Sequence, residues 1–358
     1  MSYERPNIRR MHGYTPGEQP QSGNPVKLNT NENPYSPASA VIEAARSIDP
    51  EALRRYPSPT SAVFRAEAAG AHGVHPDNIV CTNGGDELLR LAITTFVEPG
   101  RPIGMAEPSY SLYPVLAAIH DSPVERVELA PDWSMPEDFA RRMNDAGVQL
   151  TFLVNPHAPS GTLYTTEEIA GLACDLDGVL LIDEAYVDFV DPELGHDTLP
   201  LIREFDNVLI LRTLSKGYSL AGLRFGYGIG PAGLISPIAT KTRDSYSVDA
   251  IAERVATAAV RHRVDAQQTW KAVRESREAL RAELEALGLP CSPSQSNFVL
   301  TQIPAGMGGG AEGIYRALKA RDIFVRYFDQ PRLRDKLRIS VGTPEENGQL
   351  LAALRGML

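Results

Sequence analysis

Cysteine is scarce in this chain of 358 residues: Cys81, Cys174 and Cys291 are its only three, far apart and in no Cys-x-x-Cys arrangement. Such usage suggests neither a disulfide framework nor a thiolate zinc site, and a reducing cytoplasm is expected. A basic excess is also missing. Lys and Arg number 35 against 45 Asp and Glu, a formal charge of −10, and the basic residues are scattered. That balance repels nucleic-acid backbones and anionic lipid at long range, so neither is expected as a partner, and any phosphate must be met in a local pocket. No apolar run approaches the roughly 18 residues of a membrane span. The first thirty residues are polar, without the apolar core of a secretory signal. A P-loop and internal repeats are absent, and the histidines, His72 and His75 among them, form no ligand set with nearby acids. They read as surface residues, and no metal is expected.

What is present is ordinary globular chemistry, 43 % hydrophobic and 22 % charged, in a chain long enough for two domains. Between residues 79 and 230 short β-branched runs alternate with amphipathic stretches. Strands are expected at 79–82, 102–106, 124–128, 150–154, 179–183, 208–212 and 225–229, and most lack period-two polarity, as strands covered on both faces do. Helices are expected at 86–96, 110–119 and 165–175, the last opened by a capping box of Thr165 with Glu168. This alternation argues for an α/β unit with a mostly parallel sheet. Only 213–224 joins the last two strands, too tight for a crossover helix, so 225–229 is expected to run antiparallel. Two long helices follow, 249–264 and 265–287, then strands near 296–301, 323–327 and 337–341 and a helix opening at Thr343-Pro344-Glu345-Glu346. They read as a smaller α+β unit, with 306–310 a flexible glycine loop.

Lys216, in Leu214-Ser215-Lys216-Gly217, stands just past the carboxyl end of an apolar strand, where α/β sheets bind ligands. Desolvation there lowers a lysine's pKa and makes the amine nucleophilic, as Schiff-base chemistry needs. Thr213, Ser215 and Arg224 around it suit a phosphate. An exposed loop lysine is the alternative. Asp183 ends the preceding strand, where a buried acid is costly unless paired. A protonated pyridine nitrogen would be such a partner, a helix cap or Mg²⁺ ligand the alternative reading. Tyr186, three residues on, could donate to a phenolic oxygen. Asn83-Gly84-Gly85-Asp86 opens a helix, and its glycines let backbone N–H groups approach a phosphate. Tyr110 offers a face for a planar ring or belongs to the core. Gly226-Tyr227-Gly228-Ile229-Gly230 lies within an expected strand and lacks the spacing of a dinucleotide fingerprint.

Taken in order, Leu28-Asn29-Thr30-Asn31-Glu32-Asn33-Pro34-Tyr35, Arg55-Tyr56-Pro57, Asn83-Gly84-Gly85-Asp86-Glu87, Pro108-Ser109-Tyr110, Asp183-Glu184-Ala185-Tyr186, Ser215-Lys216 with Arg224, and Leu337-Arg338-Ile339-Ser340-Val341-Gly342-Thr343 resemble the fold-type I pyridoxal-phosphate aminotransferases. The Asn-Glu-Asn-Pro-Tyr and Arg-Tyr-Pro motifs are most similar to the histidinol-phosphate branch. The resemblance implies a large domain with a seven-stranded, mostly parallel sheet at 51–245. A small α+β domain from 31–50 and 246–358 and an N-terminal arm at 1–30 would complete the chain. It implies pyridoxal 5'-phosphate as cofactor and transamination between L-histidinol phosphate and 2-oxoglutarate in histidine biosynthesis. An aromatic amino acid aminotransferase, an amino-acid phosphate decarboxylase and a non-catalytic cofactor-binding domain are the rivals.

By the same resemblance Lys216 would carry the cofactor and move the substrate's Cα proton, Asp183 would hold the pyridine nitrogen and Tyr186 the phenolic oxygen. Tyr110 would stack on the ring. Gly85, Asp86, Thr213, Ser215 and Arg224 would bind its phosphate. Arg338 would take a substrate carboxylate, and Arg326, Tyr14, Tyr246 and Tyr56 the substrate phosphate. Tyr56 would come from the second subunit of a homodimer. Without the resemblance, Arg326 is a solvated strand residue, and Tyr14 and Tyr246 are interface or core aromatics. One departure stands out in Asn155-Pro156-His157-Ala158-Pro159-Ser160-Gly161, where Ala158 replaces the relatives' asparagine donor to the phenolic oxygen. Tyr186 is then expected to be the main donor, unless His157 substitutes.

Overall fold

The computed structural model of the chain describes residues 2–20, 23 and 25–357. A short helix, α1 (Pro6–Arg10), precedes β1 (Val26–Lys27), α2 (Ser39–Arg46) and α3 (Ala62–His72). Then β2 (Ile79–Thr82), α4 (Gly85–Phe96), β3 (Ile103–Glu107), α5 (Leu112–His120), β4 (Val124–Glu128), α6 (Phe139–Asp145), β5 (Leu150–Val154), α7 (Thr166–Asp175), β6 (Val179–Asp183), α8 (Leu201–Glu204), β7 (Val208–Thr213), β8 (Gly226–Ile229) and α9 (Ala232–Pro237) alternate. The chain ends with α10 (Ala250–Arg261), α11 (Arg263–Ala286), β9 (Phe298–Gln302), α12 (Gly310–Lys319), β10 (Ile323–Phe324), β11 (Arg326–Tyr327), β12 (Lys336–Ser340) and α13 (Pro344–Arg355).

The central sheet has seven strands in the order β2-β8-β7-β6-β5-β3-β4. All its pairings are parallel except those of β8, which runs antiparallel to both β2 and β7. The reversal follows from chain length: the link from β7 to β8 holds only a short 3-10 turn, Ala221–Leu223, so no helix can carry the chain back across the sheet. Both faces are covered. Leu180 and Ile182 of β6 enter one apolar cluster with Phe64 and Ala256, while Leu181 enters another with Leu88, Ile93 and Leu116. Strands buried on both sides need no polar alternation, hence their continuous apolar runs. The Thr165–Glu168 capping box forms as the sequence indicates, as does its counterpart from Thr343 to Glu346.

A second core gathers Leu280 and Leu284 of α11 with Val299, Ile314, Leu318, Leu337, Ile339 and Leu350. The stretch expected as one strand at 323–327 divides at Val325: β10 pairs parallel with β1, whereas β11 pairs antiparallel with β12. The changed partner, invisible in the local pattern, is the reason for the break. Val26 and Leu28 also belong to this second core, so the end of the expected N-terminal arm is built into it. Val41 of α2, the buried apolar side chains of α10 and Trp270 and Val273 of α11 pack instead with the larger core. We therefore propose a smaller unit that begins midway along α11 and includes 26–28, narrower than the division expected from the chain order. His72 also departs from expectation. Its Nε2 lies 2.9 Å from the Tyr227 hydroxyl, and burial lowers its pKa to about 3, so it is a packed neutral ring rather than a surface group.

Candidate active site

A cavity of about 260 Å³ opens at the carboxyl ends of β5, β6 and β7 and is bounded opposite by residues 29–31, β11 and β12. Lys216 follows β7 into it. Its Nζ donates to the Thr30 carbonyl at 2.9 Å, and burial, aided by the Arg338 cation, lowers its pKa to about 8. A neutral, nucleophilic amine is thus accessible near physiological pH.

Asp183, the last residue of β6, sits at the cavity floor. The Tyr113 hydroxyl donates to its Oδ2 at 2.8 Å and the Ala185 N–H to Oδ1 at 3.2 Å. Burial still outweighs both bonds and raises its pKa to about 6, as for a carboxylate without a cationic partner. Tyr113 stacks on Phe152, with ring centroids 4.6 Å apart. The sequence reading missed this residue, although it falls three positions after Tyr110 within the stretch expected as a helix at 110–119. Tyr110 lines the cavity and meets Tyr113 and Tyr14 edge to face.

At the far end, the amino terminus of α4 faces the start of β8. Arg224 and Asp86 meet there at 3.5 Å, and the Thr213 hydroxyl lies 2.9 Å from Ser215 Oγ and 3.1 Å from the Phe225 carbonyl, to which it donates. Thr213 is therefore spent on holding Ser215 and the turn. Gly84 has φ +79°, and a Cβ on it would lie 2.7 Å from Arg224 Nη2. A Cβ on Gly226 would come within 2.6 Å of the Gly84 backbone. Close backbone approach explains Gly226, while Gly228 lies under the Leu88 and Val80 side chains, so packing accounts for glycines that superficially suggest a dinucleotide motif. Hydroxyl, guanidinium and helix N–H donors converge here, a donor set suited to an anion.

Arg326 of β11 and Arg338 of β12 are direct cross-strand partners, and both line the cavity. Like charges opposite each other are destabilising. Arg338 Nη2 donates to the Asn29 carbonyl at 3.0 Å, while its Nε is buried without a partner. Burial and then the Arg326 charge lower its pKa. Among the described residues neither arginine has a carboxylate partner. Tyr14 joins them in the cavity.

Two candidates lie elsewhere in this chain. Tyr56 is 81 % exposed and stacks on Tyr246, centroids 4.5 Å apart, outside the cavity. Nor does His157 replace the absent asparagine: its Nε2 donates to the Pro108 carbonyl at 2.9 Å and its Nδ1 faces Ser160. Ala158 itself lines the cavity, beside Tyr186 and Phe298. Tyr186 accepts from Asn31 Nδ2 at 3.1 Å, a contact no local motif announces because the two residues lie 155 positions apart.

The family model for aminotransferase class I and II matches residues 24–354. The chain belongs to that family. It is 42 % identical over its whole length to the histidinol-phosphate aminotransferase 1 of Trichormus variabilis, covering 99 % of that relative. Histidinol-phosphate aminotransferase of Synechocystis is 39 % identical over 99 % of this chain and 97 % of its own. Among solved structures, histidinol-phosphate aminotransferase from Sinorhizobium meliloti in complex with pyridoxal-5'-phosphate superposes with a TM-score of 0.89 at 26 % identity, covering 100 % of this chain and 99 % of that one. The family assignment agrees with an amine, a buried acid and an anion cradle placed along one cavity.

Proposed function

We propose that this class I and II aminotransferase uses pyridoxal 5'-phosphate to interconvert L-histidinol phosphate and imidazole-acetol phosphate, with 2-oxoglutarate and glutamate as the amino partner pair, in histidine biosynthesis. The observation that carries the substrate reading is the Arg326–Arg338 pair. Two opposed cations facing one cavity, one with an unpartnered buried Nε, suit substrates that bring a phosphate in one half-reaction and a carboxylate in the other. Whole-length likeness to relatives named for histidinol phosphate supports the same reading.

The donor set fits the cofactor. Arg224, Ser215 and the α4 amino terminus would hold its phosphate, Asp183 its ring N–H, Tyr186 its ring oxygen, and Tyr110 one ring face. Thr213 would act by holding Ser215 in place, and Asp86 by orienting Arg224. When bound, pyridoxal 5'-phosphate supplies an electron sink for the pair left as a substrate Cα–H bond breaks. Lys216 would attach the cofactor and afterwards take the Cα proton on its Nζ, a task suited to an amine whose pKa lies near 8. Arg338 would grip the carboxylate of glutamate as a fork, and Arg326 with Tyr14 the phosphate of the other substrate. We also propose a cytoplasmic homodimer in which Tyr56, exposed here beside Tyr246 and Leu53, completes the second subunit's substrate site.

The test is a half-reaction series on the cofactor-loaded protein, following the visible spectral change with L-histidinol phosphate, histidinol and phenylalanine. Strong preference for the phosphorylated substrate is expected. Faster reaction with phenylalanine would overturn the substrate reading in favour of an aromatic amino acid aminotransferase.

A further inference from the structure

Of residues 29–31, which line the cavity, Asn31 has a side-chain hydrogen bond to Tyr186. Its φ of +54° is a left-handed conformation that asparagine tolerates better than most residues. The surrounding bonds fix which way its amide points. The Asn31 N–H donates to Ser340 Oγ at 2.8 Å, and the Ser340 hydroxyl donates in turn to Asn31 Oδ1 at 3.0 Å. Asn297 Nδ2 donates to the Asn31 carbonyl at 2.9 Å. With Oδ1 committed as an acceptor, Nδ2 must be the atom facing Tyr186, 3.1 Å from its phenol oxygen. Asn31 is buried, as are Ser340 and Asn297, so water does not compete for these groups.

A phenol that accepts an N–H has its own hydrogen left to give, and the amide's only acceptor is already occupied by Ser340. We propose that Asn31 is a positioning residue that forces Tyr186 to donate into the cavity, toward the ring oxygen of the bound cofactor, in a chain where Ala158 supplies no second donor. This rests on the cofactor reading above. The charged and titratable groups facing Tyr186 from the packed elements are Arg338 and Asp183, with Tyr14, Tyr110 and Tyr113. All are common to wild type and variants, so a change at Asn31 is read against a constant background. A chain of donors also polarises along its length, which strengthens the last bond, that from Tyr186.

The experiment is a pH titration of the visible absorbance of the cofactor-bound protein, which reports the proton shared between cofactor and lysine. A donor to the ring oxygen stabilises negative charge there and lets that proton leave at lower pH. Asn31→Gly keeps the left-handed backbone and removes the amide, so the midpoint should rise by roughly half to one pH unit, the effect of losing one ordinary hydrogen bond. Asn31→Asp should raise it further, because a carboxylate accepts the Tyr186 proton and turns it away from the cavity. In a Tyr186→Phe background, Asn31→Gly should add nothing. Unchanged midpoints in both Asn31 variants, or a full extra shift without the Tyr186 hydroxyl, would overturn the proposal. A wild-type protein that never becomes coloured with cofactor would instead overturn the cofactor reading, so the two failures are distinguishable.

Discussion

Lys216 and Asp183 show how single residues acquire chemistry from position. Each is an ordinary side chain displaced from its usual pKa by burial first, the lysine downward to about 8 and the aspartate upward to about 6. The lysine result has a direct pH consequence. Only the neutral amine attacks an aldehyde, so the rate at which cofactor-free protein captures pyridoxal 5'-phosphate should climb as pH rises through about 8, well below the 10.5 of a free lysine. Arg338→Met removes the second cause of the shift, and the midpoint of that climb should move upward. A stopped-flow pH series with both proteins checks this; a midpoint that ignores Arg338 would contradict the electrostatic account. At this scale the placement of residues held in contiguous motifs was legible in the sequence, Asp183 ending β6 and Lys216 following β7 into the cavity. Tyr113 and the Asn31 contact to Tyr186 were not, because their partners come from elements far apart in the chain.

Among the elements, the junction of α4 with β8 carries the most information per residue. The antiparallel course of β8 was readable from the brevity of its link to β7, and its glycines make sense once β2, β7 and the α4 amino terminus surround them. Gly226→Ala places a methyl against the Gly84 backbone, with no flexible side chain to yield. We expect a loss of about 1–3 kcal/mol in stability, the usual range for overpacking. Cofactor affinity should weaken as well, because the displaced turn belongs to the proposed anion cradle. Gly233→Ala in α9, where a Cβ meets open space, is the control and should leave affinity unchanged. Urea denaturation and fluorescence titration of the cofactor measure both. The broken strand at 323–327 is the opposite case, since local β propensity cannot say that its two ends serve different sheets.

For the whole molecule, the cavity is made by bringing the carboxyl ends of β5, β6 and β7 against residues 29–31 and the arginines of β11 and β12. Tyr56 stays outside it in a single chain, which leads to a test of shared sites. Mixed dimers of Tyr56→Ala and Lys216→Ala subunits contain one site with both residues intact if Tyr56 is contributed across the interface. Mixing two nearly inactive variants under exchange conditions should therefore restore activity. Absence of recovery, with subunit exchange confirmed by native mass spectrometry, would contradict sharing. The amino-acid order alone determined the alternating α/β layers, the reversed β8 and the candidates Lys216, Asp183 and Arg224, which the structure places on one cavity, because periodicity, short links and contiguous motifs are local properties. Tertiary structure alone decided that Arg326 opposes Arg338, that Asn31 meets Tyr186 and that His157 turns away from the cavity. Those are pairings between distant segments, set by sheet register and burial, and no local pattern encodes them.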